Sequence, residues 1–257
     1  MNRLNNKVAI ITGGASGIGK GIAQGFVKEG ALVCIADIDS RKCEQVAKEI
    51  GSGAIGYALD VTSIESINAL VNHVMSTFGE INVLVNSAGV FGMQMVTDVS
   101  EEEFDRIYGI NIRGLLFMTQ VVAKTMIATG NKGAVVNIAS GSGRRAAPGA
   151  SVYSSSKGAV ISFTQGAAQE LVQQGIRVNA IAPGMVMTPM WKEQVEPVFS
   201  KIWGPDADIE EINIGATPAG RFSTPDDYIG AAIFLASDES DFVVGQTLNV
   251  DGGYLLN

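Results

Sequence analysis

The sequence is poor in the residues that many catalytic and metal sites require. It has one histidine and two cysteines in 257 residues, so a Ser–His–Asp or Cys–His nucleophilic system would depend on His73 alone, and a zinc site with several His or Cys ligands is not expected. We predict that His73 is an ordinary surface or half-buried residue of a helix, and that the protein has no metal site. Cys34 lies in an apolar run and Cys43 in a predicted helix, which is typical of reduced thiols in a cytoplasmic protein rather than of a disulfide framework.

Long basic runs and long apolar runs are also missing. The net charge is −8 and no basic cluster is longer than Arg144-Arg145, so sequence-independent binding to nucleic acid or to an anionic membrane is not expected. No stretch approaches the roughly 20 apolar residues of a membrane-spanning helix. Residues 1–11 contain an apolar run of only four residues and no signal-peptide cleavage pattern. We therefore expect a cytoplasmic protein with neither a nucleic-acid nor a membrane partner.

The sequence does have a regular alternation of short apolar runs and longer helical patterns. With 46% hydrophobic residues and 31 glycines, the chain can bury a large core. Apolar strands without polar alternation, separated by helices, indicate a parallel sheet covered on both faces. We predict a single α/β domain over residues 1–257, doubly wound around about seven parallel strands. The predicted strands span residues 8–12, 32–36, 54–59, 83–85, 134–138, 177–181 and 247–250. The predicted helices span residues 17–30, 40–50, 63–78 and 153–173, and the helix at 63–78 is capped by Thr62. A further long helix is opened by Ser100, and the last helix starts at Thr224-Pro225.

A glycine-rich turn, Gly13–Gly19, follows the first predicted strand and opens the first predicted helix. Glycines let the backbone turn sharply and approach a pyrophosphate, which then meets the free N–H groups at the helix N-terminus. Asp37, which ends the second predicted strand, can accept hydrogen bonds from the ribose hydroxyls of a dinucleotide. The same carboxylate would repel a 2′-phosphate, and neither Ser16 nor Ile38 supplies a compensating positive charge. The pattern therefore favours NAD over NADP as the cofactor.

Tyr153 and Lys157 lie four residues apart in a predicted helix, so their side chains share one face. A positive charge near a phenol favours the phenolate and lowers the pKa of the phenol. A phenol tuned in this way towards neutral pH can act as a general acid or base. Ser140 follows the fifth predicted strand in a turn rich in serine and glycine, and it can stabilise charge that develops on a substrate oxygen. Taken alone, these residues leave open whether they carry out proton transfer or are only a polar helix start and an ordinary turn serine.

Further segments complete a recognisable set of motifs. In chain order the set is Thr12–Gly19, Asp60 with Val61, Asn86-Ser87-Ala88-Gly89, Asn111, Ser140, Tyr153 with Lys157, Pro183-Gly184 with Thr188, and Val250-Asp251-Gly252-Gly253. This order and spacing resemble the short-chain dehydrogenase/reductase family over nearly the whole chain. The resemblance implies a single-domain Rossmann fold and an oxidoreductase that uses a nicotinamide cofactor. Ser87 is a minor departure, because the family usually has a second asparagine at that position.

The resemblance also assigns roles to individual residues. It implies a catalytic set of Asn111, Ser140, Tyr153 and Lys157, in which Asn111 anchors a water that links Lys157 to solvent. It implies a homotetramer with contacts through the helices at 101–129 and 153–173. The residues that it implies for cofactor binding are Gly13, Ser16, Gly17, Ile18, Gly19, Asp37, Ile38, Asp60, Val61, Asn86, Ala88, Gly89, Tyr153, Lys157, Pro183, Gly184, Val186 and Thr188.

The substrate is predicted from segments beside the catalytic set. The segments Thr188–Trp191 and Tyr153–Lys157 resemble the 2,3-butanediol dehydrogenases of the family, and Ser140–Arg145 and Gln246–Gly253 resemble its sorbitol and related polyol dehydrogenases. We therefore expect a small polyol or vicinal diol whose secondary alcohol is oxidised to a ketone. Arg144-Arg145 leaves open an anionic hydroxy substrate with a carboxylate, phosphate or sulfonate group, and also a surface or subunit-contact role for both arginines. The residues expected to face the substrate are Ser140, Ser142, Arg145, Tyr153, Met190 and Trp191, with Phe91, Met93 and Met185 beside them.

Three other functions fit the sequence less well. A 3-oxoacyl carrier-protein reductase shares the predicted catalytic set, but Asp37 disfavours the NADPH that this reaction usually takes, and the acidic chain lacks an obvious basic patch for an acidic carrier protein. A regulator that senses the cofactor without turnover would not need an intact set of Ser140, Tyr153 and Lys157. A purely structural oligomer component explains none of these polar residues.

Residues 188–220 form an insertion before the last predicted helix. Its composition predicts a lid that closes over the substrate and excludes water, with a fixed helix pair at a subunit contact as the alternative. The expected apolar surface is Met190, Trp191, Phe199, Ile202 and Trp203, and the expected rigid joints are Pro189, Pro197, Gly204 and Pro205.

Overall fold

The computed structural model describes residues 2–204 and 207–255. Within these residues, parallel strands form one sheet with helices on both of its faces, as predicted. Pro205, a predicted joint of the insertion, lies outside the described residues. The strands are β1 (Val8–Thr12), β2 (Leu32–Asp37), β3 (Ala54–Ala58), β4 (Val83–Asn86), β5 (Gly133–Ile138), β6 (Ile176–Pro183) and β7 (Thr247–Val250), and the helices are α1 (Gly17–Lys28), α2 (Ser40–Ile50), α3 (Ile64–Phe78), α4 (Glu101–Tyr108), α5 (Leu115–Thr129), α6 (Ser151–Leu171), α7 (Glu196–Trp203), α8 (Ile209–Gly215) and α9 (Ile229–Ala236).

The strand order is β3-β2-β1-β4-β5-β6-β7, and every pair is parallel. The chain first winds outwards from β1 to β3 and then continues from β4 in the opposite direction. The reversal leaves a crevice between the carboxyl ends of β1 and β4, which is where doubly wound sheets bind their ligands. The predicted Rossmann topology is therefore confirmed.

The uninterrupted hydrophobicity of β1 follows from its central place in the sheet. Successive side chains of a strand point to opposite faces, and here each face is covered by helices. Ala9 and Ile11 enter one core, which packs against α1 and α9, whereas Val8 and Ile10 enter the other, which packs against α3, α5 and α6. Neither face of the strand meets water, so neither requires polar residues.

The two cysteines lie in these two separate cores. Cys34 and Cys43 are free and buried, and they belong to different faces of the sheet, so the sequence-based prediction of two separate thiols agrees with the structure. His73 is exposed on α3 and stacks on Tyr57 with the ring centroids 4.8 Å apart. Among the described residues, no cluster of three or more His, Cys, Asp and Glu side chains is suited to hold a metal ion, and no helix combines the length and the apolar character needed to cross a membrane.

One helix prediction needs correction, and another gains a detail. The cap of α3 is Ser63 and not Thr62, because Ser63 Oγ accepts a hydrogen bond from the Ser66 N–H (3.2 Å), whereas the Thr62 hydroxyl donates to Asp60 (2.7 Å). The long helix does begin after Ser100, as predicted. It runs to Thr129 with a π-helical turn at Gly109–Gly114 inside it, which the sequence did not predict and which lies between α4 and α5.

The insertion has regular structure of its own. A π-helical turn at Trp191–Val195 leads into α7, and α8 follows. Trp191 is 3% exposed and packs with Ile209 and Phe222 in a small separate core. The segment is therefore attached to the domain through buried aromatic and aliphatic contacts.

Candidate active site

The glycine-rich turn lies directly beside the end of β4. Gly13 has φ +64°, and a side chain there would place its Cβ 2.8 Å from the Ala88 backbone, so only glycine fits this close approach. Thr12 Oγ1 accepts hydrogen bonds from the N–H groups of Ser87 and Ala88, both at 3.1 Å. The segment after β4 is thus held through its backbone, which explains how serine is accommodated at position 87.

The N-terminus of α1 faces the crevice. Ser16 is its N-cap residue, and its side chain makes no capping hydrogen bond, so the first-turn N–H groups are left for another acceptor. An anionic pyrophosphate satisfies both these donors and the helix dipole. Ser16, Gly17 and Ile18 line the crevice. Gly19 does not, because it packs behind the turn against the Gly13 carbonyl.

Two carboxylates mark the far end of the crevice. Asp37 ends β2, and its Oδ2 accepts a long hydrogen bond from the Ala15 N–H (3.4 Å). Asp60 Oδ1 accepts from the backbone and hydroxyl of Thr62 at 2.8 and 2.7 Å. Ile38 is 72% exposed at the rim. The two cations among the described lining residues, Lys157 and Arg145, belong to segments at the opposite end.

Asn86, predicted to contact the cofactor, points away from the crevice. Its Nδ2 donates to Thr119 Oγ1 (3.0 Å) and to Asn137 Oδ1 (2.9 Å), and Asn137 donates in turn to Thr164 (2.9 Å). All four side chains are buried. This network links β4 and β5 to α5 and α6, so the side chain of Asn86 supports the site from behind.

Tyr153, Ser140 and Lys157 meet at the near end of the crevice. Burial raises the pKa of Tyr153, and a hydrogen bond with Ser140 opposes that rise. Burial also lowers the pKa of Lys157 to about 8. Its Nζ donates to the Ile138 carbonyl (2.9 Å) and lies 6.0 Å from the centre of the Tyr153 ring. In the protein alone, the effect of burial on the pKa of Tyr153 therefore outweighs that of the hydrogen bond with Ser140.

Asn111 lies in the π-helical turn between α4 and α5 and is 1% exposed. Its Oδ1 accepts from the Val90 N–H (2.9 Å), while Nδ2 donates to the Val90 carbonyl (3.0 Å) and to Ser156 Oγ (3.1 Å). Because the side chain is committed to these groups and does not line the crevice, it holds the loop after β4 against α6. Its role as a water anchor stays a prediction.

The two ends open into one cavity of about 600 Å³. Its substrate side combines Ser140, Ser142 and Tyr153 with a wall of aromatic and thioether side chains. Phe199, predicted as part of the apolar surface of the insertion, also lines this side. Two other lining residues were not found from the sequence, because no motif marks them: Val195 comes from the insertion, and Tyr254 follows the Gly252-Gly253 signature. The other predicted residues that line the cavity are Gly13, Val61, Ala88, Gly89, Phe91, Met93, Pro183, Gly184, Met185, Val186, Thr188, Met190 and Trp191.

The two adjacent arginines have different surroundings. Arg144 donates to the Thr247 carbonyl on β7 at 2.7 Å and does not line the cavity, whereas Arg145 does. The predicted pair therefore contributes one cation to the substrate side.

A doubly wound parallel sheet, an anion-binding glycine turn and a Ser–Tyr–Lys cluster in one cavity define a dinucleotide-dependent oxidoreductase. The family model described as enoyl-(acyl carrier protein) reductase matches residues 13–255. The chain belongs to the short-chain dehydrogenase/reductase family. It is an enzyme that acts on CH–OH donors and interconverts a secondary alcohol and a ketone.

Named relatives match along nearly their whole length. The chain is 47% identical to a galactitol 2-dehydrogenase of Agrobacterium fabrum and 44% identical to a sorbitol dehydrogenase of Cereibacter sphaeroides, in both cases over 98% of each chain. It is 38% identical to an L-2,3-butanediol dehydrogenase of Corynebacterium glutamicum over 98% of this chain and all of that one. Among solved structures, a 3-ketoacyl-(acyl-carrier-protein) reductase of Brucella melitensis complexed with NADH is similar, with a TM-score of 0.88 and 37% identity over 98% of this chain and 99% of that one.

Proposed function

We propose that the protein is an NAD-dependent dehydrogenase of a small polyol or vicinal diol. The observation that carries this proposal is the single cavity that joins Asp37 at one end to Ser140, Tyr153 and Lys157 at the other. The polar groups at the reacting end suit a carbinol and a neighbouring oxygen, and the methionine and aromatic wall suits the carbon chain behind them. The polyol and diol dehydrogenases among the relatives support the same substrate class.

The proposed mechanism gives each polar side chain one task. Tyr153 accepts the hydroxyl proton during oxidation and returns it during reduction. Ser140 holds the substrate oxygen beside the phenol and stabilises its developing charge. Lys157 supplies positive charge that favours the phenolate. NAD, when bound, supplies the hydride acceptor, and its positively charged nicotinamide ring adds to the field at Tyr153.

The proposed NAD site extends from the α1 N-terminus to Asp37. Gly17 has φ +51°, a backbone conformation that favours glycine at this tight turn. Asp37 accepts from the ribose hydroxyls, and no described cation at that end of the cavity offsets its repulsion of a 2′-phosphate. The binding segments on the other side are Asp60 with Val61, Ala88 with Gly89, and Pro183 to Thr188.

A substrate panel tests the proposed function. Polyols, vicinal diols, hydroxy acids and a 3-oxoacyl thioester are assayed with NAD(H) and with NADP(H). We expect the highest kcat/KM for a small diol or polyol with NAD. A preference for the thioester with NADPH would instead identify a carrier-protein reductase.

Asp37→Ser tests the cofactor preference. Because a hydrogen bond to a carboxylate contributes about 1.5–3 kcal/mol, we expect the NAD/NADP ratio of kcat/KM to fall by about tenfold or more. Asp39→Ser is the matched control, since Asp39 caps α2 through the N–H groups of Arg41 and Lys42. A ratio unchanged in Asp37→Ser would contradict the assignment.

Arg145 supports a second candidate, a dehydrogenase of an anionic hydroxy substrate. It is the arginine that lines the substrate side of the cavity, and a guanidinium binds carboxylate or phosphate well. If a hydroxy acid leads the panel, Arg145→Ala should raise its KM, whereas Arg144→Ala should not. Equal KM values for all three proteins would exclude this candidate.

Three further properties belong to the proposal. The insertion at 188–220 acts as a lid on the substrate side, supported by the lining residues Met190, Trp191, Val195 and Phe199. Apolar side chains exposed on α4 and α5, Phe104 (43%) and Ile127 (44%), support a homotetramer in which these helices make contacts. The two free, buried thiols support a cytoplasmic location.

A further inference from the structure

The loop after β4 is held by side chains from several elements at the point where it passes the reacting end of the cavity. The Val90 N–H and carbonyl both bond to Asn111. The Phe91 carbonyl accepts from Arg106 Nη2 (2.8 Å), whose guanidinium is fixed by Glu103 on α4. The remaining polar group, the Phe91 N–H, donates to Gln194 Oε1 at 3.2 Å. Each backbone group of these two residues therefore has a defined partner.

Gln194 differs from the other partners because it comes from the insertion. It lies in the π-helical turn Trp191–Val195, 103 residues away from Phe91 in the chain. Trp191 and Val195 of the same turn line the cavity. The Gln194 amide therefore connects the wall of the cavity that the insertion provides to the wall that the β4 loop provides.

Phe91 also contacts Tyr153, the residue that handles the substrate proton in the proposed mechanism. Its ring packs edge-to-face on Tyr153, with the centroids 4.9 Å apart and the planes inclined at 65°. Aromatic pairs favour this arrangement and restrict the position of each ring. A displacement of the Phe91 backbone would therefore move the surface against which the Tyr153 ring rests.

We propose that Gln194 is a positioning residue for Tyr153: its side-chain oxygen holds the Phe91 N–H, and Phe91 in turn fixes the phenol that handles the substrate proton. The inference rests on the proposed function, since it takes Tyr153 as the acid/base. It adds that the insertion contributes to the alignment of the phenol as well as to the enclosure of the substrate. The cofactor end of the cavity is not involved.

Two substitutions of similar size separate the hydrogen bond from packing. Gln194→Met keeps the length of the side chain and removes the amide oxygen, whereas Gln194→Glu keeps an oxygen acceptor. We expect kcat/KM for the alcohol to fall by about five- to tenfold in Gln194→Met and to be largely restored in Gln194→Glu. The KM for NAD and the thermal midpoint should remain close to wild type in both, because the cofactor end and the core are unchanged. Glu193→Gln, at the exposed neighbouring position, is the control and should behave as wild type.

Tyr153→Phe is measured in the same assay as the reference variant for the proposed mechanism. If Tyr153→Phe is inactive, Gln194→Met is impaired and Gln194→Glu is clearly better than Gln194→Met, the proposal stands. If Gln194→Met retains wild-type kcat/KM, or Gln194→Glu is no better than it, the positioning role is overturned while the proposed function survives. If Tyr153→Phe itself keeps its activity, the proposed mechanism fails, and the role of Gln194 fails with it.

Discussion

Replacing Tyr153 with phenylalanine is expected to lower kcat for alcohol oxidation by about 10³-fold, because a positioned general acid/base contributes roughly 10²–10⁴-fold. The substitution removes one oxygen and retains the ring, so the edge-to-face contact with Phe91 is preserved. NADH affinity should change much less than kcat, since Tyr153 is one of many residues expected to bind the cofactor and the others are untouched. Steady-state kinetics together with NADH fluorescence titration measure the two effects separately.

Tyr108→Phe provides a matched control. The Tyr108 hydroxyl is likewise hydrogen-bonded to a serine, donating to Ser155 at 2.9 Å, and its ring likewise packs on a phenylalanine, Phe104, but it does not line the cavity. We expect this variant to keep wild-type kcat. Near-normal turnover in Tyr153→Phe would remove the phenol from the mechanism.

The sequence predicted the sheet well because its strands are buried on both faces. β1 and β7 begin and end at the predicted residues, as does α2, and the remaining strand ends differ by at most two residues. Apolar runs of four to eight residues bounded by turn residues are typical of fully buried strands, and their short length distinguishes them from buried helices. The motifs lie at the ends of these strands, so a correct strand order brings them together at one edge.

The structure differs from the sequence-based predictions where two local structures compete for similar residues. Thr62 and Ser63 are both good caps, and the sequence does not reveal that Asp60 binds the Thr62 hydroxyl and leaves the cap to Ser63. The π-helical turn around Asn111 has no composition of its own. It is recognisable only from the contacts of Asn111 with Val90 and Ser156.

The sequence also did not predict which way the side chains point at the substrate end of the cavity. Arg144 and Arg145 are neighbours of one type, yet one binds a carbonyl on β7 and the other lines the cavity. Tyr254 reaches the cavity because Asp251 accepts hydrogen bonds from the N–H groups of Gly253 and Leu255 and so turns the chain back. These contacts depend on tertiary packing, and no residue spacing predicts them.

Replacing Lys157 with methionine is expected to have opposite effects on activity and on stability. Turnover should fall by about 10²–10³-fold, the usual effect of removing one preorganised electrostatic group from an active site. The cofactor-free protein should nevertheless become more stable at pH 7. Lys157 is 6% exposed and its pKa is lowered to about 8 by burial, so its charged form carries a penalty of about 3 kcal/mol at neutral pH. Loss of its hydrogen bond to the Ile138 carbonyl offsets about 1.5–3 kcal/mol of this, the usual range for a charged donor, which leaves a net gain of at most about 1.5 kcal/mol.

The pH dependence of the stability difference between Lys157→Met and wild type tests whether burial of the charged ammonium causes it. Below about pH 8 the folded wild-type protein must hold a buried ammonium, so its penalty is fully present. As the pH rises from about 8 towards 10.5, the folded protein releases the proton while the unfolded chain still keeps it. Wild-type stability therefore rises relative to Lys157→Met, and urea unfolding should show the difference shrinking over this range. Lys124→Met, on the exposed surface of α5, should show no comparable gain. If Lys157→Met were less stable than wild type at pH 7, the contacts of the ammonium would stabilise the fold by more than its burial destabilises it. The catalytic role of Lys157 would then not reduce the stability of the protein.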